Sequence, residues 1–313
     1  SSLLVEPQRT NLLTYSEDFS QSFWTKSSVT LTTGFVSPDG TTNASKLVST
    51  GADGSMQNSY TVSSGTTYTI SVYLKTVSGT LDTTLSLGSP GFPQNVGAGG
   101  RYKNITVTNE WQRYSLTSTA DASAASGVGF GGFSGFSTGE EVLIWGIQLE
   151  ESAYPTSYIP TSGSSVTRNQ DIFTRDGIGS LINSTEGVLF AEIADLSDDS
   201  TGKYYSLSDG TSSNRIRIGY SLTDNSIRAL VISQGTNVFD YTHTISNIEL
   251  FSKIALSYKQ DDFSFWIDGV EVHTDTSGNT PTALSRLAFD NGSGGDKLFA
   301  KVKQLQVYDT ALT

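Results

Sequence analysis

"DFSFWIDGVEVHT", residues 262–274, sets two apolar-alternating arms on either side of Asp268-Gly269. In the first arm Phe263, Phe265 and Ile267 fall on one side, and Ser264 and Trp266 on the other. That period of two is what a half-buried strand requires. Asp-Gly between such arms is the strongest short hairpin signal a sequence carries, because the tight turn needs positive φ at both central residues. The segment therefore reads as an antiparallel hairpin with an apolar inner face.

The same alternation recurs in both directions. Downstream of residue 172 it appears in "GVLFAEIADL", "KYYSLSDG", "NRIRIGYSL", "SIRALVIS", "KIALSYK", "SRLAFDNG" and "FAKVKQLQVYD". Upstream, "TTYTISVYLKT" (66–76) puts Tyr68, Ile70, Val72 and Leu74 on one face and Thr69, Ser71, Tyr73 and Lys75 on the other. "NASKLVS", "LDTTLSLG", "NITVT", "QRYSLTSTA", "GVGFGGF" and "VLIWGIQLE" follow the pattern, separated by turn-rich pieces such as "SPDGTTN" and "SPGFPQNVGAGG". No amphipathic helix is evident. The expected fold class is all-β, two antiparallel β-sandwich (jelly-roll) domains in tandem.

The two strand sets are separated by "WGIQLEESAYPTSYIPTSGSSVTRNQD" (145–171), a buried strand that runs into a polar, proline-marked tail. Tyr154, Tyr158 and Ile159 interleave with Pro155 and Pro160, so the tail is expected to be extended and to lie along the first sandwich. The expected domains are 1–154, a connector 155–171, and 172–313. In the strand at 142–150, Trp145 is expected to share a core face with Leu143, Ile147 and Leu149. Trp24 and Trp111 are expected to close sandwich ends.

Composition narrows the function. The chain has 313 residues, 36% of them hydrophobic and 11% aromatic, enough apolar material for two cores. It has no cysteine and only His243 and His273, which excludes disulfides, thiolate metal sites and multi-histidine centres. The net charge of −12 opposes binding to nucleic acid or anionic membrane surfaces. No run of about 18 apolar residues occurs, so no membrane-inserting helix is expected. "SSLLVEPQRT" lacks the layout of a signal peptide, so any export is expected to come from a missing part of the chain or from another route.

Catalytic patterns are weak. The nearest carboxylate pair, Glu192 and Asp195 in "AEIADLSDD", is spaced to point to opposite faces of a strand, whereas a glycoside hydrolase needs two acids converging about 5–10 Å apart. His243 and His273 stand in no lyase-like set, no G-x-S-x-G occurs, and "GVGFGGFSG" alternates like a strand rather than a phosphate loop. No catalytic residue is assigned.

Two resemblances bear on function. "EPQRTNLLTYSEDFSQSFWTK", "PDGTTNASKLV", "YTVSSGTTYTISVYLK", "EWQRYSLTS" and the 142–171 segment make residues 5–171 similar to the carbohydrate-binding-module-like domain of bacteriophage and prophage tail fibre or tail spike proteins. "GVLFAEI", "LSDGTSSNRIRI", "KIALSYKQDDFSFWIDGVEVHTDTSG" and "SRLAFDNG" followed by "KQLQVYDTAL" make residues 172–313 resemble the concanavalin A-like or laminin G-like lectin fold. The combination implies non-catalytic recognition of a bacterial or algal surface polysaccharide by the distal part of a virion tail fibre, outside the cell, in a homo-oligomer with a trimer favoured. Such folds bind sugars through exposed rings with polar groups at the edges. On that basis Trp266, Tyr73, Lys75, and Phe92 and Tyr102 flanking the long loop are the candidate carbohydrate contacts. A structural calcium is also implied, with Asp18, Glu150, Asp290 and Asp296 as candidate oxygen donors. Two other roles fit the same residues, an accessory region of a polysaccharide-degrading enzyme and a structural or trimerisation segment of a virion.

Overall fold

The computed structural model describes residues 1–94, 97, 99–131 and 136–312. Apart from one 3-10 turn at Gly179–Leu181, the regular structure of these residues is strand, and the chain is all-β. It divides into two compact units, residues 8–169 and residues 1–7 with 170–313.

In the unit 8–169, one sheet runs Gln112–Thr119, Thr67–Thr76, Glu141–Glu151, Ala44–Ser49, Val29–Phe35 in spatial order. The other runs Thr25–Ser27, Ser55–Val62, Ala124–Gly131, Leu81–Ser86, Tyr102–Val107. All pairings are antiparallel. Ile70, Val72, Leu74 and Ile144 meet Met56, Leu85, Val107 and Phe130 in one core. Trp24 joins them in the core, and Trp111 is half-buried. The strand at Ala124–Gly131 bears out the alternation of "GVGFGGF" as far as it is described; residues 132–135 lie outside the described residues.

The strand carrying Trp145 departs from the simple alternation. Its register with Thr67–Thr76 shifts between Trp145 and Gln148, a bulge made possible by Gly146 at φ 61°. The inserted residue flips the parity. Val142, Ile144, Ile147 and Leu149 enter the core, while Leu143 and Trp145 lie on the outer side. The expected grouping of Trp145 with Ile147 and Leu149 is thus corrected; Trp145 is buried, but from outside the sheet.

What covers it is the proline-marked tail. Buried Gln148 accepts from the Ile159 N–H at 2.7 Å, and buried Glu150 accepts from the Thr156 N–H at 3.1 Å and from its hydroxyl. Asn11 donates to the Ile159 carbonyl at 2.9 Å. Further along, Val166–Arg168 pairs with Arg9–Asn11. Residues 155–169 are therefore part of this sandwich, laid along its outer face.

The second unit is also a sandwich of two antiparallel sheets. One runs Leu3–Leu4, Ala300–Tyr308, Glu186–Asp195, Ser252–Lys259, Asp262–Ile267, Val270–Asp275. The other runs Thr174–Arg175, Arg286–Ala288, Lys203–Ser208, Arg215–Tyr220, Ser226–Ser233, Thr236–Thr244. Leu189, Ile193, Phe263 and Phe265 face Tyr205, Ile216, Ile218 and Phe239 across the core. The Asp268-Gly269 hairpin closes as the sequence predicts, with φ of 51° and 82° at its two central residues. Residues 1–7 belong here, not to the first sandwich where the sequence places them: Leu3 and Leu4 pair with Val302 and Lys301, and Val5 is in the core.

Candidate functional site

The outer face of the sheet containing Trp266 presents apolar surface in register. Across five strands the partners run Glu271, Trp266, Ala255, Phe190, Gln306. The next row runs Thr274, Ser264, Ser257, Val188, Tyr308. Small Ala255 separates the two rings, and a strand spacing of ~4.8 Å sets Trp266 and Phe190 about 10 Å apart. Both are half-buried, and Tyr308 is 49% exposed. A groove of about 400 Å³ lies beside them, lined by Val188, Phe190, Ala255, Tyr308 and Leu312.

Polar groups frame this surface. The Trp266 indole N–H donates to the Ser264 hydroxyl at 2.9 Å, which fixes the ring on the sheet. Glu192 takes the Lys303 ammonium at 2.9 Å, and that ammonium also lies 3.8 Å from the Phe251 ring centre. Apolar faces bounded by carboxylate, amide and hydroxyl groups match what a pyranose offers, a C–H face rimmed by hydroxyls. Trp266 is where the sequence places it, outside the core. Phe190, Tyr308 and Ala255 were missed, although the parity of "GVLFAEI" around Leu189 and Ala191 already puts Phe190 on the outside.

The other candidate contacts are placed differently. Tyr73 is half-buried. Its ring packs 5.3 Å from Trp145, whose other neighbour is Tyr158 at 4.6 Å, and the Arg113 guanidinium covers it at 5.5 Å. Phe92 is a core residue, 2% exposed and edge-on to Tyr68 at 5.9 Å, so its place in a Gly-rich loop is that of an anchor. Tyr102 is half-buried beneath Arg101, 5.1 Å from its ring centre, and Lys75 is half-buried beside Leu143.

The four oxygen donors named for calcium are far from one another in role. Asp18 accepts from Ser20 and Gln21, which hold its carboxyl below the usual range. Glu150 fastens the tail at Thr156. Asp290 is half of a forked ion pair with Arg286, at 3.0 and 2.5 Å. Asp296 faces Arg217 and Asn291. Among the described residues no group of three or more acids or histidines is placed to hold a metal ion. Where two carboxylates converge beside Lys203, the lysine sits at the centre: its ammonium lies 2.9 and 3.0 Å from Asp195, 2.8 Å from Asp199 and 3.1 Å from the Ser197 carbonyl.

Glu192 and Asp195 take opposite faces of their strand, Glu192 outside with Lys303 and Asp195 buried with Lys203. His273 stacks on Tyr241 at 4.0 Å and 5°, an aromatic contact between the two sheets' edges.

No family model matches the chain, and no curated protein matches it. Solved structures similar to it include the galectin LEC-6 of Caenorhabditis elegans, 11% identical, covering 44% of this chain and 91% of that one at a TM-score of 0.33. The tandem CBM22-1-CBM22-2 region of Paenibacillus barcinonensis Xyn10C is 13% identical, covering 100% and 98% at 0.33. Domains LG4-5 of the mouse laminin alpha1 chain are 9% identical, covering 100% and 95% at 0.31. Likenesses this distant assign neither family nor ligand. What the topology itself defines is a protein of two antiparallel β-sandwiches.

Proposed function

We propose that this chain is a non-catalytic carbohydrate-recognition protein that engages a bacterial or algal surface polysaccharide through the Trp266–Phe190 row, as the distal part of a virion tail fibre. The observation that supports this reading is the register Glu271, Trp266, Ala255, Phe190, Gln306, which lays two rings and their polar ends across one accessible sheet face. The separation of Glu192 and Asp195 onto opposite faces supports recognition without cleavage. The tail-fibre setting is supported by the resemblance of residues 5–171 alone. Single sites of this kind are weak, and several copies held together raise avidity by ~10² to 10⁴ where geometry lets them engage at once.

The test is a glycan array probed with the protein joined to a trimeric carrier. Binding to one polysaccharide class is expected, with Trp266→Ala and Phe190→Ala each weakening it about tenfold or more while the melting temperature stays near that of the parent. A blank array, or binding untouched by both substitutions, would overturn the reading. Appearance of new reducing or unsaturated ends on incubation with the bound polysaccharide would overturn its non-catalytic part.

A further inference from the structure

The outer face of the opposite sheet is built on other chemistry. On Arg215–Tyr220, Ile216 and Ile218 fill the core, so Arg215 and Arg217 stand outside. On the neighbouring Ser226–Ser233, Ile227 and Ala229 face inward and Arg228 stands outside too. The Arg217 guanidinium lies 4.4 Å from the centre of the Tyr204 ring. Gly219, in register between Tyr204 and Arg228, keeps that row low; a Cβ there would come 1.9 Å from the Lys203 carbonyl.

The three guanidiniums are unequally satisfied. Arg228 makes a fork to Asp240 at 2.7 and 2.6 Å. Arg215 donates from Nη1 to the Asn291 carbonyl at 2.8 Å, but its buried Nε has no acceptor. Arg217, its side chain only 11% exposed, makes no hydrogen bond to any described residue: Nε is buried without an acceptor, and Nη1 approaches Asp296 no closer than 3.7 Å. Burial first, and then a neighbouring guanidinium, hold both Arg215 and Arg217 below their ordinary pKa. Leaving a buried guanidinium donor unpaired costs the desolvation without the return; the buried Nε of Arg9, Arg101 and Arg113 is in the same state, so what marks Arg217 is its low exposure between two further guanidiniums of one sheet face. Three arginines against Asp240 and Asp296 also leave this face net positive on a chain of charge −12.

We propose that Arg217, flanked by Arg215 and Arg228, forms a binding site for the carboxylate of an acidic saccharide, which takes the donors the fold leaves open. A planar carboxylate fits a guanidinium by two parallel hydrogen bonds, and Tyr204 fixes the plane of the Arg217 fork from behind. A sulfate brings the charge but not the planar match. That the carboxylate belongs to a saccharide rests on the carbohydrate-recognition reading above; the site itself is on the sheet opposite Trp266 and does not need the Trp266 row to bind anything.

Titration with a galacturonic acid trisaccharide, a galactose trisaccharide and a sulfated galactose trisaccharide tests it, read by calorimetry and by the NMR signals of the arginine Nε–H groups. The galacturonate is expected to bind, to move the Arg217 and Arg215 signals and to weaken with added salt; Arg217→Ala should reduce its affinity about tenfold or more, and Trp266→Ala should leave it unchanged. Arg217→Lys keeps the charge without the fork and should lose most of the binding, so a failure of Arg217→Ala to fold does not remove the test. No movement of the arginine signals with galacturonate, equal binding by Arg217→Lys, or preference for the neutral or the sulfated sugar would overturn it. Loss of neutral-glycan binding in Trp266→Ala speaks only to the other face.

Discussion

Asp195 shows how far a single side chain can be moved by its surroundings. Burial pushes its carboxyl from 3.8 up to about 6, against the pull of the Lys203 ammonium. The folded chain therefore holds this proton more tightly than the unfolded chain does. The resulting contribution to stability is complete below the unfolded value near 3.8 and is lost as pH rises through about 6. A carbon-13 titration of the Asp195 carboxyl is expected to show its midpoint near 6. Asp195→Asn, which cannot titrate, should flatten the change of melting temperature between about pH 4 and 6. A midpoint at or below 3.8 would contradict this. The outward position of Trp266 was readable at this scale from strand parity alone. The burial of Phe92 was not, because a loop's sequence does not say which of its side chains turns back into the core.

At the scale of elements, the bulge and the tail are one device. Gly146 at φ 61° inserts the extra residue, and a Cβ there would meet both Tyr158 and Tyr73 at 3.3 Å. Gly146→Ala is expected to cost about 1–2 kcal/mol from the left-handed backbone alone, read as a lower urea midpoint with unchanged slope. Asn11 holds bulge and tail together. It donates to Ile159 and accepts from the Leu13 and Leu149 N–H groups, each at 3.2 Å. Asn11→Ala strands these buried partners and should cost roughly 1–3 kcal/mol; a value near zero would mean that solvent replaces them. The strand existence of residues 142–150 was legible, but its parity beyond Trp145 was not, since a bulge adds one residue without any change in the alternating pattern that a reader would detect.

For the whole molecule, the seven N-terminal residues matter out of proportion to their length. Leu3–Leu4 extends a sheet edge of the unit 170–313, Val5 is 3% exposed in that core, the Glu6 N–H donates to the Asp171 carboxylate at 2.8 Å, and the Asp171 N–H donates to the Glu6 carbonyl at 2.9 Å. Removing residues 1–6 should destabilise this unit by roughly 2–3 kcal/mol, about the burial of one aliphatic side chain plus the lost edge pairing. Hydrogen exchange would show it as faster exchange across 186–195 and 300–308, with the strands of 8–169 unchanged. Uniform acceleration in both units would contradict the assignment of these residues to one core.

By itself the sequence determined the class of the fold. Alternation with period two, Asp-Gly and Gly-rich turns and the lack of helical spacing are local properties, and local steric and burial rules convert them directly into antiparallel strands. It also determined the outward position of Trp266, one residue off an unbroken Phe-Ser-Phe parity. Only the tertiary structure decided which core the first seven residues join, what the proline-marked tail lies on, and that Arg217, between Arg215 and Arg228, makes no hydrogen bond among the described residues. Each of these depends on which distant segments come to lie side by side, and no local period in the chain encodes that.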